Sequence, residues 1–166
     1  MNKKNFSIST NDWNGPIIQT KDNEICYYEK KDNICFYDFI KRRNIKKINN
    51  ISVSSHIFDS LLMISKDLLL ITGFNKISII NVNSYNLIKT IEEDDSGMIF
   101  AACIINKDTI LTGDENKRII QWKIENDNLK LISKKENAHD DIITTISKLG
   151  NGHIFSGSVD CSVKIW

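Results

Sequence analysis

The chain repeats one unit of short strands and turns, and the clearest copy of that unit covers residues 138–166. Residues 142–146 are rich in β-branched side chains and predict a strand. Residues 148–152 contain the Asn and Gly that favour a turn, and residues 154–157 and 163–166 predict two further strands. Any fold for this chain must therefore accommodate a strand-turn-strand unit that recurs along the sequence.

The weaker copies follow at a regular spacing. We take Gly157 as the anchor of the last unit, and the corresponding anchors upstream are Tyr28, Gly73 and Gly113, separated by 45, 40 and 44 residues. The residues nine positions after the four anchors are, in chain order, Tyr37, Val82, Trp122 and Trp166. A nearly constant period of this kind indicates a repeat architecture and not a single irregular domain.

The last unit resembles a WD40 repeat. His139, Ser156, Gly157, Asp160 and Trp166 stand where that family has its His, its Ser-Gly pair, its turn Asp and its closing Trp. The resemblance implies that His139, Ser156, Asp160 and Trp166 form a structural tetrad. In such a tetrad each buried polar group satisfies another, so these residues hold a blade together and perform no chemistry.

The earlier units keep this pattern only in part. In the second unit His56 is a candidate for the His position. In the third unit Asp95 stands where the His would be, and Asn116 replaces the turn Asp. Trp122 is kept there, and we expect its side chain to pair with that of Thr112.

The resemblance implies an all-β fold, a WD40-type β-propeller that spans residues 1–166 or part of one. Approximate blade boundaries are 13–50, 51–93, 94–135 and 136–166. Propellers close with about 4–8 blades of four strands, and rings of the WD40 family are typically seven-bladed. With about four blades, the last without an outer strand, the resemblance implies the amino-terminal part of a larger, seven-bladed ring. The alternative is a small ring in which Phe6 and Ile8, within the polar segment 1–12, belong to the closing strand.

Composition restricts the partners and the compartment. The net charge of +1 over 166 residues argues against a whole-surface attraction to nucleic acid or membrane. No apolar run approaches the roughly 20 residues that cross a bilayer, and the polar start MNKKNFSIST does not read as a signal peptide. We therefore expect a cytoplasmic or nuclear location.

The four cysteines show no metal-site pattern. Cys26, Cys35, Cys103 and Cys161 lack the paired spacing of a zinc site, and we expect buried, reduced thiols. Cys26 and Cys35 are placed to face each other across a hairpin, although a reducing compartment would leave them free.

No motif with catalytic chemistry is present. The sequence has no Gly-rich phosphate loop, no H-E-x-x-H and no G-x-S-x-G. His139 beside Asp140 and Asp141 offers a general base or a metal ligand, but its place in the repeat favours the structural role. Residues 92–95, EEDD, offer a site for a cation or a basic peptide, although adjacent carboxylates in a loop are usually solvated. We predict a protein that is not an enzyme and needs no metal or cofactor.

A rigid propeller without catalytic residues predicts an interaction scaffold that presents loops to proteins or peptides, as part of a multiprotein complex. The resemblance places partner contacts in the loop that enters each inner strand and at the residue before the turn Asp. Here those positions are Asp141, Ile142, Val159, Met98 and Glu115.

The one dense basic cluster, residues 41–47 (KRRNIKK), supports an alternative function. The chain would then be a WD40 factor associated with RNA or ribonucleoprotein, with these side chains on phosphates. Single-strand binders usually interleave aromatic residues with such charge, and the cluster has none. The simpler interpretation is a charged outer strand that discourages pairing between sheet edges.

Overall fold

The part of the chain that the structure describes consists of antiparallel β-sheets. This computed structural model describes residues 15–29, 33–49, 51, 60–93 and 97–166. Fifteen strands form four sheets there, and within each sheet every strand pairs with its neighbour in the chain. Among these residues no helix is long and apolar enough to cross a membrane.

The first three sheets have four strands each, and the fourth has three. The first contains β1 Ile17–Lys21, β2 Glu24–Glu29, β3 Asn33–Asp38 and β4 Arg43–Ile48. The second contains β5 Leu61–Met63, β6 Leu68–Gly73, β7 Lys76–Asn81 and β8 Asn86–Glu92. The third contains β9 Ile99–Asn106, β10 Thr109–Asp114, β11 Ile119–Glu125 and β12 Asn128–Lys135, and the fourth contains β13 Ile143–Lys148, β14 Ile154–Ser158 and β15 Val163–Ile165.

The sheets are held together face to face by three cores of apolar side chains. The second sheet shows why, because all six residues of β6 are buried. Leu69 and Ile71 point into the core shared with the first sheet, and Leu68 and Leu70 point into the core shared with the third. A strand covered on both faces reads as a continuous apolar run. The third core joins the third and fourth sheets around Ile143 and Ile146.

The innermost strands β1, β5, β9 and β13 contact one another in chain order. Within the described residues no comparable packing joins the fourth sheet to the first. The four sheets therefore stand as successive blades of an arc.

Several predicted features lie outside the described residues. They are the closing strand around Phe6 and Ile8, Trp13 at the start of the first blade, and His56 and Asp95 in the later units.

The predicted spacing of nine residues from the anchor to the closing position is correct in three sheets and wrong in the second. Where it is correct, the residue three before the anchor lies opposite the closing position, in the pairs Ile25–Tyr37, Ile110–Trp122 and Ile154–Trp166. In the second sheet Leu70 pairs with Ile79, so Val82 is not the counterpart of the tryptophans. The turn between β6 and β7 is shorter, because Phe74 and Asn75 alone form it, with Asn75 at a φ of 51°.

The expectations for the cysteines need two corrections. Cys26 lies opposite Phe36 and Cys35 lies opposite Tyr27, so the two thiols point to opposite faces of the sheet and do not meet. Cys161 is exposed, because it occupies a turn at a φ of 64° and not a strand. All four thiols are free. Burial raises the pKa of Cys26 well above its ordinary value and that of Cys35 to about 11, which keeps both in the inert thiol form.

Candidate functional site

The structure brings His139, Ser156, Asp160 and Trp166 together in one hydrogen-bonded chain. The indole Nε1 of Trp166 donates to Ser156 Oγ at 2.9 Å, and Ser156 Oγ lies 2.7 Å from His139 Nε2. On the other side of the ring, His139 Nδ1 lies 2.9 Å from Asp160 Oδ2. His139 and Ser156 are both fully buried. One direction satisfies every group: tryptophan donates to serine, serine to histidine, and histidine to the carboxylate.

The carboxylate of Asp160 is fixed by the turn that carries it. Its Oδ1 accepts the N–H of Ser162 at 2.8 Å, and its Oδ2 also accepts the N–H of Asp140 at 2.9 Å. Hydrogen bonds from Ser162, from the Asp140 N–H and from His139 hold the pKa of Asp160 well below its ordinary value. Asp160 is therefore ionised at neutral pH. Ser162 is a member of this network that sequence reasoning missed, although its position two residues after the turn Asp is a usable signal.

These contacts leave His139 no freedom to act as a base or a metal ligand. Both ring nitrogens are engaged within the protein and the side chain has no exposed surface. Among the described residues no group of three or more His, Cys, Asp and Glu side chains is arranged to hold a metal ion. The geometry supports a structural role for the tetrad.

The third sheet contains a reduced form of the same arrangement. Trp122 Nε1 donates to Thr112 Oγ1 at 2.9 Å, which is the pair expected from the sequence. The turn has the same backbone bonds as its counterpart in the fourth sheet, with Lys117 at a positive φ where that sheet has Cys161. The turn carboxylate, however, belongs to Asp114, whose Oδ2 accepts Arg118 Nε at 2.9 Å.

Sequence reasoning missed the ion pair of Asp114 and Arg118, because it looked for a carboxylate only at position 116. Both side chains are buried, at 0% and 8% exposure. Burial raises the pKa of Asp114 above its ordinary value, although the hydrogen bonds and charge of Arg118 oppose this rise. An acidic residue followed four positions later by Arg, around a tight turn, is the signal that could have identified the pair.

Replacing Ser156 with alanine will lower the free energy of unfolding by about 1–3 kcal/mol, because His139 Nε2 and Trp166 Nε1 both lose their partner. Ser156→Thr is the matched control, since Thr112 occupies the corresponding place in the third sheet, and we expect it to cost less than about 1 kcal/mol. Urea unfolding followed by tryptophan fluorescence measures both. If the alanine variant were as stable as the wild-type protein, the hydrogen-bonded network would not contribute to stability.

The predicted partner-binding residues lie at one end of the blades, where the chain enters the inner strands. The N–H of Val159 donates to the carbonyl of Ile142 at 2.9 Å, and that of Glu115 to the carbonyl of Met98 at 2.8 Å. A side-chain oxygen of Asp141 accepts the N–H of Ile142 at 2.8 Å. Each turn is therefore tied to the loop beside it, in the third and fourth sheets alike.

One of the five predicted residues is not accessible. Met98 is only 4% exposed, and its N–H donates to the carboxylate of Glu115 at 3.0 Å. Sequence reasoning also missed Phe74, which forms an isolated bridge with Met98 at the same end and is 52% exposed. Phe74 lies in the turn between β6 and β7, where the spacing predicted from the sequence is wrong. We call the surface formed by Phe74, Glu115, Asp141, Ile142 and Val159 the entry face.

One carboxylate of the acidic loop is less solvated than expected. Glu93 is 9% exposed and forms an ion pair with Lys134. Glu92 lies 3.2 Å from Lys76, but its side chain is 68% exposed, as expected for a solvated carboxylate. The other two carboxylates lie outside the described residues.

No protein-family profile and no curated protein sequence matches this chain. Solved structures do match it. The crystal structure of the WD40 β-propeller domain of Doa1 has a TM-score of 0.72 at 17% identity, over 90% of this chain and 49% of that one. A chain in the crystal structure of a mitotic checkpoint complex has a TM-score of 0.73 at 12% identity, over 87% of this chain and 45% of that one.

The likeness is therefore one of fold, and the chain spans about half the length of the structures it matches. The four sheets are blades of a WD40-type β-propeller, as the sequence predicted.

Proposed function

We propose that this chain is a non-catalytic scaffold that binds a protein or peptide partner through its entry face. The observation that carries the proposal is the exposure of Val159 and Phe74, at 51% and 52%, on turns that the backbone holds rigidly. Besides the bond at Val159, the N–H of Asn75 beside Phe74 donates to the carbonyl of Gly97 at 2.7 Å. Apolar side chains on a fixed backbone lose little entropy on binding and are typical anchors of interfaces.

The surroundings of these anchors favour a partner that is apolar at its centre and basic at its edge. Glu115 is exposed and Asp141 is half-buried, and both lie on the entry face. Carboxylates at the rim of an interface steer and orient a partner more than they hold it. One structure of similar fold belongs to a mitotic checkpoint complex, and by analogy of fold we assign this chain to a multiprotein complex. We place it in the cytosol or nucleus, where its free thiols stay reduced.

Photo-crosslinking in cells that make the protein tests this proposal. A photoreactive phenylalanine analogue at position 159 or 74 should label one or a few defined proteins. The same analogue at Leu149, which is exposed on the turn between β13 and β14 at the opposite end of the blade, is the matched control. Val159→Asp with Phe74→Ser should reduce the amount of complex by about tenfold or more. Equal labelling from position 149, or labelling from that position alone, would contradict the proposal.

A further inference from the structure

The basic cluster predicted from the sequence forms an exposed surface on the outside of the first blade. Residues 41–47 are all exposed, on the turn after β3 and along β4. Between residues 38 and 48 the chain carries Lys41, Arg42, Arg43, Lys46 and Lys47, against one carboxylate, Asp38. We call these five cations the outer basic surface. It lies away from the entry face, because the turn between β3 and β4 is at the end of the antiparallel sheet opposite to the point where the chain enters β1.

Protection of a sheet edge does not account for this much charge. Charged side chains, especially lysine, discourage edge pairing, but the outer strands β8 and β12 carry fewer cations than the outer basic surface. The outer strand β8 has a single lysine, Lys89, and one of the three lysines of β12, Lys134, is used in the pair with Glu93. On β4 only Lys47 is paired within the described residues, with Glu29. Lys41 also has a carboxylate partner, Asp38, whereas Arg43 and Lys46 form no ion pair with any described carboxylate.

A cleft of about 400 Å³ opens beside the outer basic surface. Among its lining residues are Lys21, Glu24, Asp38, Lys41, Arg43 and Tyr85. Three of the lining residues are acidic, and two of these, Glu24 and Asp38, have their charge engaged. Glu24 accepts hydrogen bonds from Thr20 and Tyr85 and lies 3.6 Å from Lys21, and Asp38 Oδ1 accepts two backbone N–H groups.

The cations at the mouth of the cleft form fewer interactions with carboxylates of the chain itself. Lys41 Nζ lies 3.8 Å from Asp38 Oδ2, and no ion pair joins Arg43 to any described carboxylate. Beside them are two exposed apolar side chains, Ile40 at 65% and Ile45 at 38%. Donors that fit carboxylates therefore alternate with apolar contacts, which is the pattern that an acidic peptide with apolar residues would match.

The cleft itself offers no free aromatic face to single-stranded RNA. Recognition of unpaired bases relies on free aromatic faces. Tyr85 is the one aromatic residue in the cleft lining, and Lys21 Nζ covers its ring at 4.5 Å while the edge of Phe36 packs on it at 4.9 Å. We propose that the outer basic surface binds an acidic, extended segment of a partner protein, with Lys41 and Arg43 at the mouth of the cleft as its principal anchors.

Fluorescence anisotropy with a labelled twelve-residue peptide of alternating Glu and Val tests this proposal. At low ionic strength Lys41→Ala with Arg43→Ala should weaken binding by about tenfold or more. The matched control is Lys107→Ala with Lys130→Ala, which removes the same charge from exposed positions in the third blade. We expect that control to weaken binding less than about twofold. Unchanged thermal unfolding of both variants establishes that neither loss reflects misfolding.

Two probes of different chemistry complete the test. A peptide with Gln in place of Glu should not bind, and a single-stranded RNA of equal charge should bind no more tightly than the acidic peptide. Tighter binding of the RNA, lost in the same double variant, would overturn the proposal in favour of a phosphate-binding role. Equal losses in the two double variants would overturn it by showing that only net charge matters. Crosslinking from Val159 should be unchanged in Lys41→Ala with Arg43→Ala, so this proposal and that for the entry face can fail separately.

Discussion

Replacement of Trp122 with alanine should destabilise the protein by about 3–5 kcal/mol. The indole is only 1% exposed and lies in the core between the second and third sheets, against residues such as Leu70 and Ile110. Two losses combine, because the substitution leaves a cavity in a close-packed region and removes the donor that reaches Thr112 Oγ1. Urea unfolding followed by circular dichroism is the appropriate measurement, since the substitution changes the fluorescence signal.

A conservative substitution at the same position separates the two contributions. Trp122→Phe retains most of the buried apolar surface and loses the indole N–H, so we expect a loss of about 1–3 kcal/mol. Val82→Ala is a second comparison, because the repeat frame in the sequence gave Val82 the position equivalent to Trp122, whereas the structure gives it to Ile79. A loss of less than about 1 kcal/mol in Trp122→Ala would contradict the assignment of this residue to the centre of the core.

The sequence predicted the fold well because each strand of a propeller blade pairs with the strand next to it in the chain. Many of the strands are short apolar runs with β-branched residues, and several turns carry Asn, Asp or Gly at positions that need an unusual backbone. Asn75 and Asn126 both adopt a positive φ in such turns. Local signals of this kind survive even where the tetrad residues are replaced, so the blades remain recognisable from spacing alone.

The register of individual hairpins was harder to predict, because a turn can lengthen or shorten without changing the spacing between repeats. The turn between β6 and β7 contains Phe74 and Asn75 only, and the pairing of Leu70 therefore falls on Ile79. One error of three residues displaced the closing position and also hid Phe74 from the candidate site. Cys26 and Cys35 illustrate the same limit, because a single step in register moves a side chain to the other face.

The parts of the candidate site that lie within a single repeat were predictable from the sequence. The parts that form where two segments or two blades meet were not. The tetrad residues all lie within residues 138–166, so one motif was enough to name them. The burial of Met98 cannot be inferred from any spacing in the sequence, because it depends on how the third-sheet turn, which carries Glu115, folds onto the loop before β9. The cleft beside Arg43 likewise needs the turn of a second blade, which contributes Tyr85.

Replacement of Arg118 with methionine should destabilise the protein by about 3–5 kcal/mol at neutral pH. The substitution keeps an unbranched side chain at a site that is 8% exposed, but it leaves the carboxylate of Asp114 buried without its counter-charge. The cost arises mainly from that stranded charge. It should therefore decrease when the charge is removed by protonation.

The pH dependence of this loss of stability follows from the direction in which the pKa of Asp114 is shifted. Burial already raises the pKa of Asp114 in the wild-type protein, where Arg118 opposes the rise. Without Arg118 the folded-state pKa rises further above the unfolded-state value, so the folded variant binds a proton more readily than the unfolded chain. The deficit of Arg118→Met relative to wild type should be full above the raised folded-state pKa. It should shrink as the pH falls through that value toward about 4.

Denaturant unfolding at pH 7 and pH 5 measures this effect, and a double substitution provides the control. Asp114→Asn with Arg118→Met removes both charges and keeps an oxygen at position 114 to accept the Arg118 backbone N–H, which now lies at 2.9 Å. Replacement of both partners of a buried ion pair is often nearly neutral, so the double variant should recover most of the loss and its deficit should not depend on pH. A deficit in Arg118→Met that is equal at both pH values would mean that packing around the turn, and not the buried charge, gives the pair its importance.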